Sequence, residues 1–332
     1  MSHSGTQSPW LIPELAALVA AAPPSWPLTP DSLPETRRRV HRQMVRAAAP
    51  RPVYAVIDRN LPGPAGPIPI RAYKPRRENG LPVLVYAHGG GWVMGGLETH
   101  DALCREVAER AGVVVVSVDY RLAPESPFPG PLEDFYAAAQ WVAGNATQVG
   151  GDSARVAVGG DSAGGNLAGA ACLLARDRGE RQFAFQWLAY PGLDGASERS
   201  SWSTYADGPV VSAANARVMW KMYAGAVDLR HPHLSPLHAA DLSGLPPALI
   251  VTPQHDHGHD DAAAYAQRLH DSGVRVTFAS FDGMCHGFLS FHGQVSGCLD
   301  ALDECCGHIR KALGPREPGA SVDQSGETTP DI

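Results

Sequence analysis

The 332-residue chain has little that points to a membrane or to a nucleic acid. No apolar run approaches the roughly 20 residues that a membrane span needs. The short apolar run 15–22 follows an acidic residue, Glu14, and precedes two prolines, so it does not resemble a signal peptide. The net charge of -7 gives no electrostatic reason to expect binding to nucleic acid or to an anionic membrane. We therefore expect a globular protein with no membrane span and no nucleic-acid partner.

Cysteine pairs and nucleotide-binding motifs are also lacking. The six cysteines are scattered, with no C-x-x-C pair and no sign of a disulfide framework. Such cysteine usage favours the reducing cytoplasm as the protein's location. Neither G-x-x-x-x-G-K-[ST] nor G-x-G-x-x-G occurs, so we expect no nucleotide and no other cofactor.

Eight apolar β-type runs follow residue 50, and helical stretches separate most of the later ones. The runs are 53–57, 68–73, 83–87, 113–118, 156–158, 183–189, 248–252 and 274–280. The turn signal Leu61-Pro62-Gly63 predicts that the first two runs are antiparallel. The later runs are continuously apolar, which predicts a mostly parallel eight-stranded sheet with helices on both faces.

Two amphipathic helices are predicted before residue 50, and they suggest an accessory cap. The first spans 13–22, and its larger apolar residues share one face. The second begins after Ser32, which we expect to form a capping box with Glu35. Its basic run Arg37-Arg38-Arg39 is interpreted as a solvated helix face. The predicted division is a helical cap at 1–50, a catalytic domain at 51–314 and a disordered tail at 315–332.

Gly160-Asp161-Ser162-Ala163-Gly164 matches the G-x-S-x-G nucleophile elbow. The motif directly follows the apolar run 156–158 and precedes a helix near Asn166, which is the strand–turn–helix context that the elbow requires. Small neighbours permit a sharp turn that exposes the serine hydroxyl. Ser162 is therefore the predicted nucleophile of a serine hydrolase.

A glycine-rich segment, His88-Gly89-Gly90-Gly91-Trp92, follows the run 83–87. Acyl-group hydrolysis passes through a tetrahedral oxyanion, which preorganised backbone N–H groups must stabilise. The H-G-G-G loop supplies such groups together with the N–H that follows the nucleophile, here that of Ala163. This segment is therefore the predicted oxyanion loop.

A serine hydroxyl needs a base to take its proton, and in this fold the chain order is Ser, then Asp or Glu, then His. His286 follows the last apolar run and is the predicted base. The acid should follow the run 248–252, where Asp256, Asp260 and Asp261 are the candidates.

Taken together, the motifs resemble those of the hormone-sensitive-lipase family of esterases, the bacterial group within the α/β-hydrolases. The motifs are His88-Gly-Gly-Gly-Trp, Asp119-Tyr-Arg-Leu-Ala-Pro-Glu125, Gly160-Asp-Ser-Ala-Gly-Gly165, Ser235-Pro-Leu237 and His286-Gly-Phe. The similarity runs from about Leu11 to about Leu313 and implies the α/β-hydrolase fold with an N-terminal helical cap over the pockets for substrate. It also implies that Asp119–Glu125 is structural and that its arginine and glutamate fix a loop near the elbow.

By the same resemblance, Ser162 is the nucleophile, His286 the base and Asp256 the acid. The implied oxyanion hole consists of the amides of Gly90, Gly91 and Ala163, with Gly89 beside them. One departure concerns the acid, because the family usually reads D-P-L-x-D where this chain reads Asp256-His257-Gly258-His259-Asp260.

The expected activity is serine carboxylesterase hydrolysis of small, fairly apolar acyl esters, so the expected partner is a small-molecule ester. An amidase or lactonase with the same triad remains an alternative, as does a non-catalytic receptor on the same fold. A metallo-hydrolase is the fourth reading, with zinc ligands drawn from His255, His257, His259, Asp260 and Asp261. We expect no metal, because the serine machinery is complete. The sequence leaves the oligomeric state open and is compatible with a homo-oligomer.

Overall fold

A computed structural model describes residues 10–21 and 27–314. Its centre is an eight-stranded sheet in the order β1-β2-β4-β3-β5-β6-β7-β8. The strands are β1 Ala55–Gly63, β2 Gly66–Lys74, β3 Leu81–Ala87, β4 Val114–Val118, β5 Gly151–Asp161, β6 Gln186–Ala189, β7 Ala248–His255 and β8 Val276–Cys285. Strands β3 to β8 pair in parallel, whereas β1 and β2 are antiparallel to their neighbours. The mostly parallel sheet predicted from the apolar runs is confirmed.

Helices cover both faces of this sheet. They are α1 Pro13–Ala21, α2 Leu33–Ala47, α3 Asp101–Ala111, α4 Gly130–Asn145, α5 Ala163–Asp177, α6 Ser200–Thr204, α7 Ala213–Ala224, α8 His259–Asp271 and α9 Ser296–Leu313. One buried apolar cluster packs α4, α5 and α8 against one face, and a second packs α3 and α9 against the other. None of the helices in the described ranges combines the length and the apolar composition needed to cross a membrane.

The first hairpin turns later than the sequence predicts. Leu61, Pro62 and Gly63 belong to β1, and the connection to β2 consists of Pro64 and Ala65. Pro62 is tolerated in β1 because β1 is an edge strand. On the outer side of an edge strand, no neighbouring strand needs the N–H group that proline lacks. The predicted antiparallel pairing itself is confirmed.

The second helix begins at Leu33, as expected, but without the predicted capping box. Ser32 is in a helical backbone conformation, and its side chain caps no helical amide. Its hydroxyl instead accepts from the amide of Thr29 over 2.9 Å, within the preceding turn. Glu35 forms an ion pair with Arg38 at 2.6 Å rather than reaching back to Ser32. The hydroxyl of Ser32 is thus engaged in the preceding turn, and the carboxylate of Glu35 is engaged by Arg38 within the helix.

Helices α1 and α2 line a large pocket that also contains Ser162. A second segment, which was not predicted from the sequence, lines the same pocket. This segment lies between β6 and β7 and includes α6 and α7. The predicted boundary at residue 50 falls between α2 and β1. The tail predicted to be disordered, 315–332, lies outside the described residues.

Candidate active site

Ser162 lies at the turn between β5 and α5. Its backbone φ of 56° is in the left-handed region, which a residue with a side chain rarely adopts. A Cβ atom on Gly160 or Gly164 would collide with the carbonyl oxygen of Ala87. The small residues on either side of Ser162 therefore let β3 approach the turn closely, and the Ser162 side chain lines a pocket above it.

The three predicted catalytic residues come from three loops and meet at one edge of the sheet. Ser162 Oγ lies 2.8 Å from His286 Nε2. His286 Nδ1 lies 2.7 Å from Asp256 Oδ2. The loops meet because β5, β7 and β8 are parallel and end at the same edge. When Nδ1 carries the proton that faces the carboxylate, Nε2 can accept the serine proton.

Burial and charge tune this line of groups in opposite directions. Burial disfavours the imidazolium, but the Asp256 charge and its hydrogen bond outweigh it and hold the pKa of His286 above its ordinary value. Burial also acts to raise the pKa of Asp256, but His286, His257 and the Gly258 amide hold that pKa below its ordinary value. Asp256 is therefore ionised at neutral pH and can stabilise an imidazolium.

The glycine loop after β3 is fixed by a buried carboxylate next to the nucleophile. The amide of Gly89 donates to Asp161 Oδ1 over 2.8 Å. The hydroxyl of Tyr86 donates to the same oxygen over 2.6 Å. The Gly89 amide is engaged by Asp161, so Gly89 anchors the loop beside the predicted oxyanion donors.

The other predicted donors remain open towards the pocket. Within residues 27–314, the amides of Gly90 and Gly91 form no hydrogen bond with the protein. Ala163 is the first residue of α5, so its amide has no carbonyl one turn earlier to bind. All three residues line the same pocket as Ser162. These amides can therefore bind an anionic oxygen next to the nucleophile.

The segment that carries the acid, residues 256–261, includes the beginning of α8 and is braced by α6. Asp260 Oδ2 accepts from the amide of Ser201 over 2.9 Å. Asp261 Oδ2 accepts from Trp202 Nε1 over 2.8 Å. Asp260 and Asp261 thus hold the loop, and Asp256 is the candidate acid that contacts His286. These contacts supply rigidity where the loop has glycine and lacks the usual proline.

A cavity of about 790 Å³ lies over Ser162 and His286. Its walls come from α1, α2, the glycine loop and the segment with α6 and α7. Many of the lining side chains are large and apolar, among them Leu18, Val19, Trp92, Met219 and Trp220. A cavity of this size and lining is suited to a small, largely apolar molecule.

The histidines of the segment 255–259 do not gather around one point. The ring of His255 packs on Trp10, with ring centroids 4.2 Å apart. In the ranges that the structure describes, one group of three side chains has metal-ligand spacing, and it consists of Asp256, His257 and His286. That group is the predicted acid and base with one neighbour, so the zinc hypothesis gains no separate ligand set in this part of the chain.

Arg37 has a role that the sequence analysis missed when it interpreted the basic run as solvated. The guanidinium donates to Glu125 Oε1 over 2.7 Å and to the carbonyl of Val93 over 2.6 Å. The ion pair with Glu125 thus attaches α2 to the rest of the protein, separately from the role that the resemblance implies for Glu125 in its own loop.

The hydrogen bond from Trp202 to Asp261 was not predicted either. Both contacts join residues that are far apart in sequence, so no local sequence pattern predicts them.

Comparison with known proteins agrees with the fold described above. A family model described as α/β-hydrolase fold matches residues 84–290. "Esterase LipI" of Mycobacterium tuberculosis is 38% identical over 94% of this chain and 98% of its own length. "Carboxylesterase NlhH" of the same species is 42% identical over 74% of this chain and 79% of its own.

A solved structure supports the same conclusion over nearly the whole chain. It is an ester-hydrolase from the metagenome of Lake Arreo, in complex with a bipyridine phosphonate derivative, and it is 39% identical. The match covers 92% of this chain and 100% of that chain, with a TM-score of 0.87. The chain belongs to the α/β-hydrolase family, in the bacterial hormone-sensitive-lipase group of esterases that its motifs resemble.

Proposed function

We propose that the chain hydrolyses small, fairly apolar carboxylic esters through an acyl intermediate on Ser162. It is a carboxylic-ester hydrolase, as its named relatives are. The observation that carries the residue assignment is the unbroken line from Ser162 Oγ through His286 to Asp256, with distances of 2.8 and 2.7 Å. It lies beneath a largely apolar pocket that is large enough for a small ester.

The reaction follows from what each group can do. His286 Nε2 takes the hydroxyl proton as Ser162 Oγ attacks the ester carbonyl. The amides of Gly90, Gly91 and Ala163 stabilise the oxyanion, and each donor of this kind contributes about 3 kcal/mol. His286 then protonates the leaving alcohol, which departs and leaves the acyl-enzyme. Water that His286 activates hydrolyses the acyl group and restores Ser162.

Asp256 keeps Nδ1 of His286 protonated and its ring oriented, and its negative charge stabilises the imidazolium that forms during attack. None of these steps needs a Lewis acid. The helices α1 and α2 and the segment with α7 limit the acyl and alcohol groups that reach Ser162.

The test is a panel of acyl esters of increasing chain length, with a matched amide and a matched lactone. We expect hydrolysis of the esters, with the highest kcat/KM at short chains, and loss of that activity in Ser162→Ala. Hydrolysis of the amide or the lactone in preference to every ester would contradict the proposal and favour the corresponding alternative. Equal kcat/KM for esters of every chain length would contradict the proposed substrate range.

A further inference from the structure

His257 is the residue of the acid loop that departs most from the family pattern, because it stands where the family usually has proline. Its side chain is 8% exposed and lines the pocket. Its Nδ1 lies 3.4 Å from Asp256 Oδ1. Its ring stacks on that of His286, with centroids 5.4 Å apart and an interplanar angle of 26°. One side chain therefore contacts both the proposed acid and the proposed base.

We propose that His257 is a positioning residue that shares the Asp256 carboxylate with His286 and thereby lowers the pH at which the base becomes available. The inference rests on the proposed function of Asp256 and His286. Asp256 presents Oδ2 to His286, while Oδ1 faces the Gly258 amide at 2.9 Å and His257 Nδ1. The contact with Nδ1 is attractive when that nitrogen carries the proton of a neutral imidazole.

An N–H group 3.4 Å from Oδ1 stabilises the negative charge of Asp256 by itself. The carboxylate then gains less from a proton on His286, so the imidazolium of His286 is less stable than it would be beside an unshared carboxylate. The separation of 3.4 Å exceeds a normal N–H···O hydrogen bond, so the effect is small. His257 thus lowers the pH at which His286 loses its proton, in opposition to Asp256.

His257 can act in this way because it stays neutral. Burial is the main cause that lowers the pKa of His257 to about 4, against the attraction of Asp256, and the charges of His286 and Arg217 lower it further. The titratable and charged groups that face the two rings are Asp256, Asp161, Arg217, Tyr190, Ser162 and the rings themselves. The pKa of His286 is held above the ordinary value by Asp256 despite burial, whereas that of His257 is lowered, so the acidic side of the pH profile reports His286.

The position of the His257 ring is also held from outside the loop. The rings of Trp202 and His257 form a T-shaped pair, with centroids 4.6 Å apart. The hydroxyl of Ser201 donates to the backbone carbonyl of His257 over 2.7 Å. Helix α6 therefore fixes both the ring and the backbone of the residue that touches the acid and the base.

The test compares pH profiles of kcat/KM for the wild type, His257→Phe and His257→Asn on one small ester. Phenylalanine keeps a ring against His286 and removes the N–H, whereas asparagine keeps a donor near Nδ1 and removes the ring. His259→Phe is the matched control, because His259 lies two residues further on, at the first position of α8, and contacts Pro253 and Phe278. We expect the acidic midpoint to rise by about half a pH unit in His257→Phe. It should stay unchanged in His257→Asn and in His259→Phe.

An unchanged midpoint in His257→Phe overturns the proposal, and so does an equal rise in His259→Phe. If His257→Phe does not fold, His257→Ala carries the same expectation, since it also removes the N–H. A wild type that hydrolyses no ester would instead refute the proposed function, and that result is known before any variant is compared.

Discussion

At the scale of single residues, the proposed triad depends on the different contacts that Asp256, Asp260 and Asp261 form. Asp256 directs one oxygen at His286 and the other at the amide of Gly258. Asp260 and Asp261 bond to Ser201 and Trp202 instead. Because these partners belong to α6, the two latter carboxylates stabilise the loop and have no contact with the base.

We therefore predict opposite results for two matched substitutions. Asp256→Asn should lower kcat by about 10³- to 10⁴-fold, because the base loses its orientation and the counter-charge of its imidazolium. Asp260→Asn should leave kcat nearly intact and lower the free energy of unfolding by about 1 kcal/mol. Both are measured as kcat and melting temperature on proteins purified side by side. If Asp260 proved essential and Asp256 dispensable, the assignment of the acid would be wrong.

The pH dependence follows from the state in which His286 works. The base must be neutral, and the pKa of His286 lies above the ordinary value of about 6.5. A raised pKa keeps the imidazole protonated to higher pH, so activity is lost as the pH falls through that raised value. We expect the acidic midpoint of kcat/KM to lie above about 6.5. A midpoint well below 6.5 would show that Asp256 does not stabilise the imidazolium in this way.

At the scale of elements, α1 is tied to the catalytic core and also reaches into the pocket. Leu15 is fully buried, whereas Leu18 and Val19 line the cavity. Glu14 accepts a hydrogen bond from the amide of Ser296 over 3.0 Å, at the beginning of α9. The helix thus closes one side of the pocket while its other contacts hold it to the sheet layer.

Deleting residues 1–21 should therefore change the range of substrates more than the chemistry. We expect lower kcat/KM, with a dependence on acyl length that differs from the wild type, and more apolar surface exposed to a hydrophobic dye. Arg38→Ala, on the outer face of α2, is a control that leaves the pocket lining intact. Unchanged kcat/KM at every acyl length in the deletion variant would argue against a cap.

The order of strands and helices could be predicted from sequence because each apolar run is local and continuous. The runs 83–87, 113–118 and 248–252 lie almost within β3, β4 and β7. The helices α6 and α7 were missed, although α7 has a capping signal in Ser212, whose side chain accepts a hydrogen bond from the amide of Asn215. The capping box at Ser32 was wrong because the turn before the helix uses its hydroxyl.

The site divides in the same way. Sequence motifs pointed to Ser162, His286 and the glycine loop. The hydrogen bond from Trp202 to Asp261 and the ion pair of Arg37 with Glu125 could not be predicted, because each joins residues that are distant in sequence. The hydrogen bond from Gly89 to Asp161 could not be predicted from the sequence, because it depends on how the loop after β3 packs against the elbow. The roles assigned to the triad remain predictions until they are measured.

At the scale of the whole molecule, the similarity to relatives extends over most of the chain. The match to the Lake Arreo ester-hydrolase covers 92% of this chain. All six cysteines lie in the described ranges as free, buried thiols, so no disulfide joins the elements. The stability of the chain therefore rests on its two apolar clusters. The cytoplasmic location, the oligomeric state and the division at residue 50 stay predictions.

The central claim is that Ser162 is the nucleophile and that its geometry at the elbow makes it reactive. The most direct measurement is intact-mass analysis after treatment with an organophosphonate ester, followed by mapping of the modified peptide. We expect one adduct per chain, on Ser162, and none in Ser162→Ala. An adduct that persists in Ser162→Ala, or a wild type that forms none while it hydrolyses esters, would show that Ser162 is not the nucleophile.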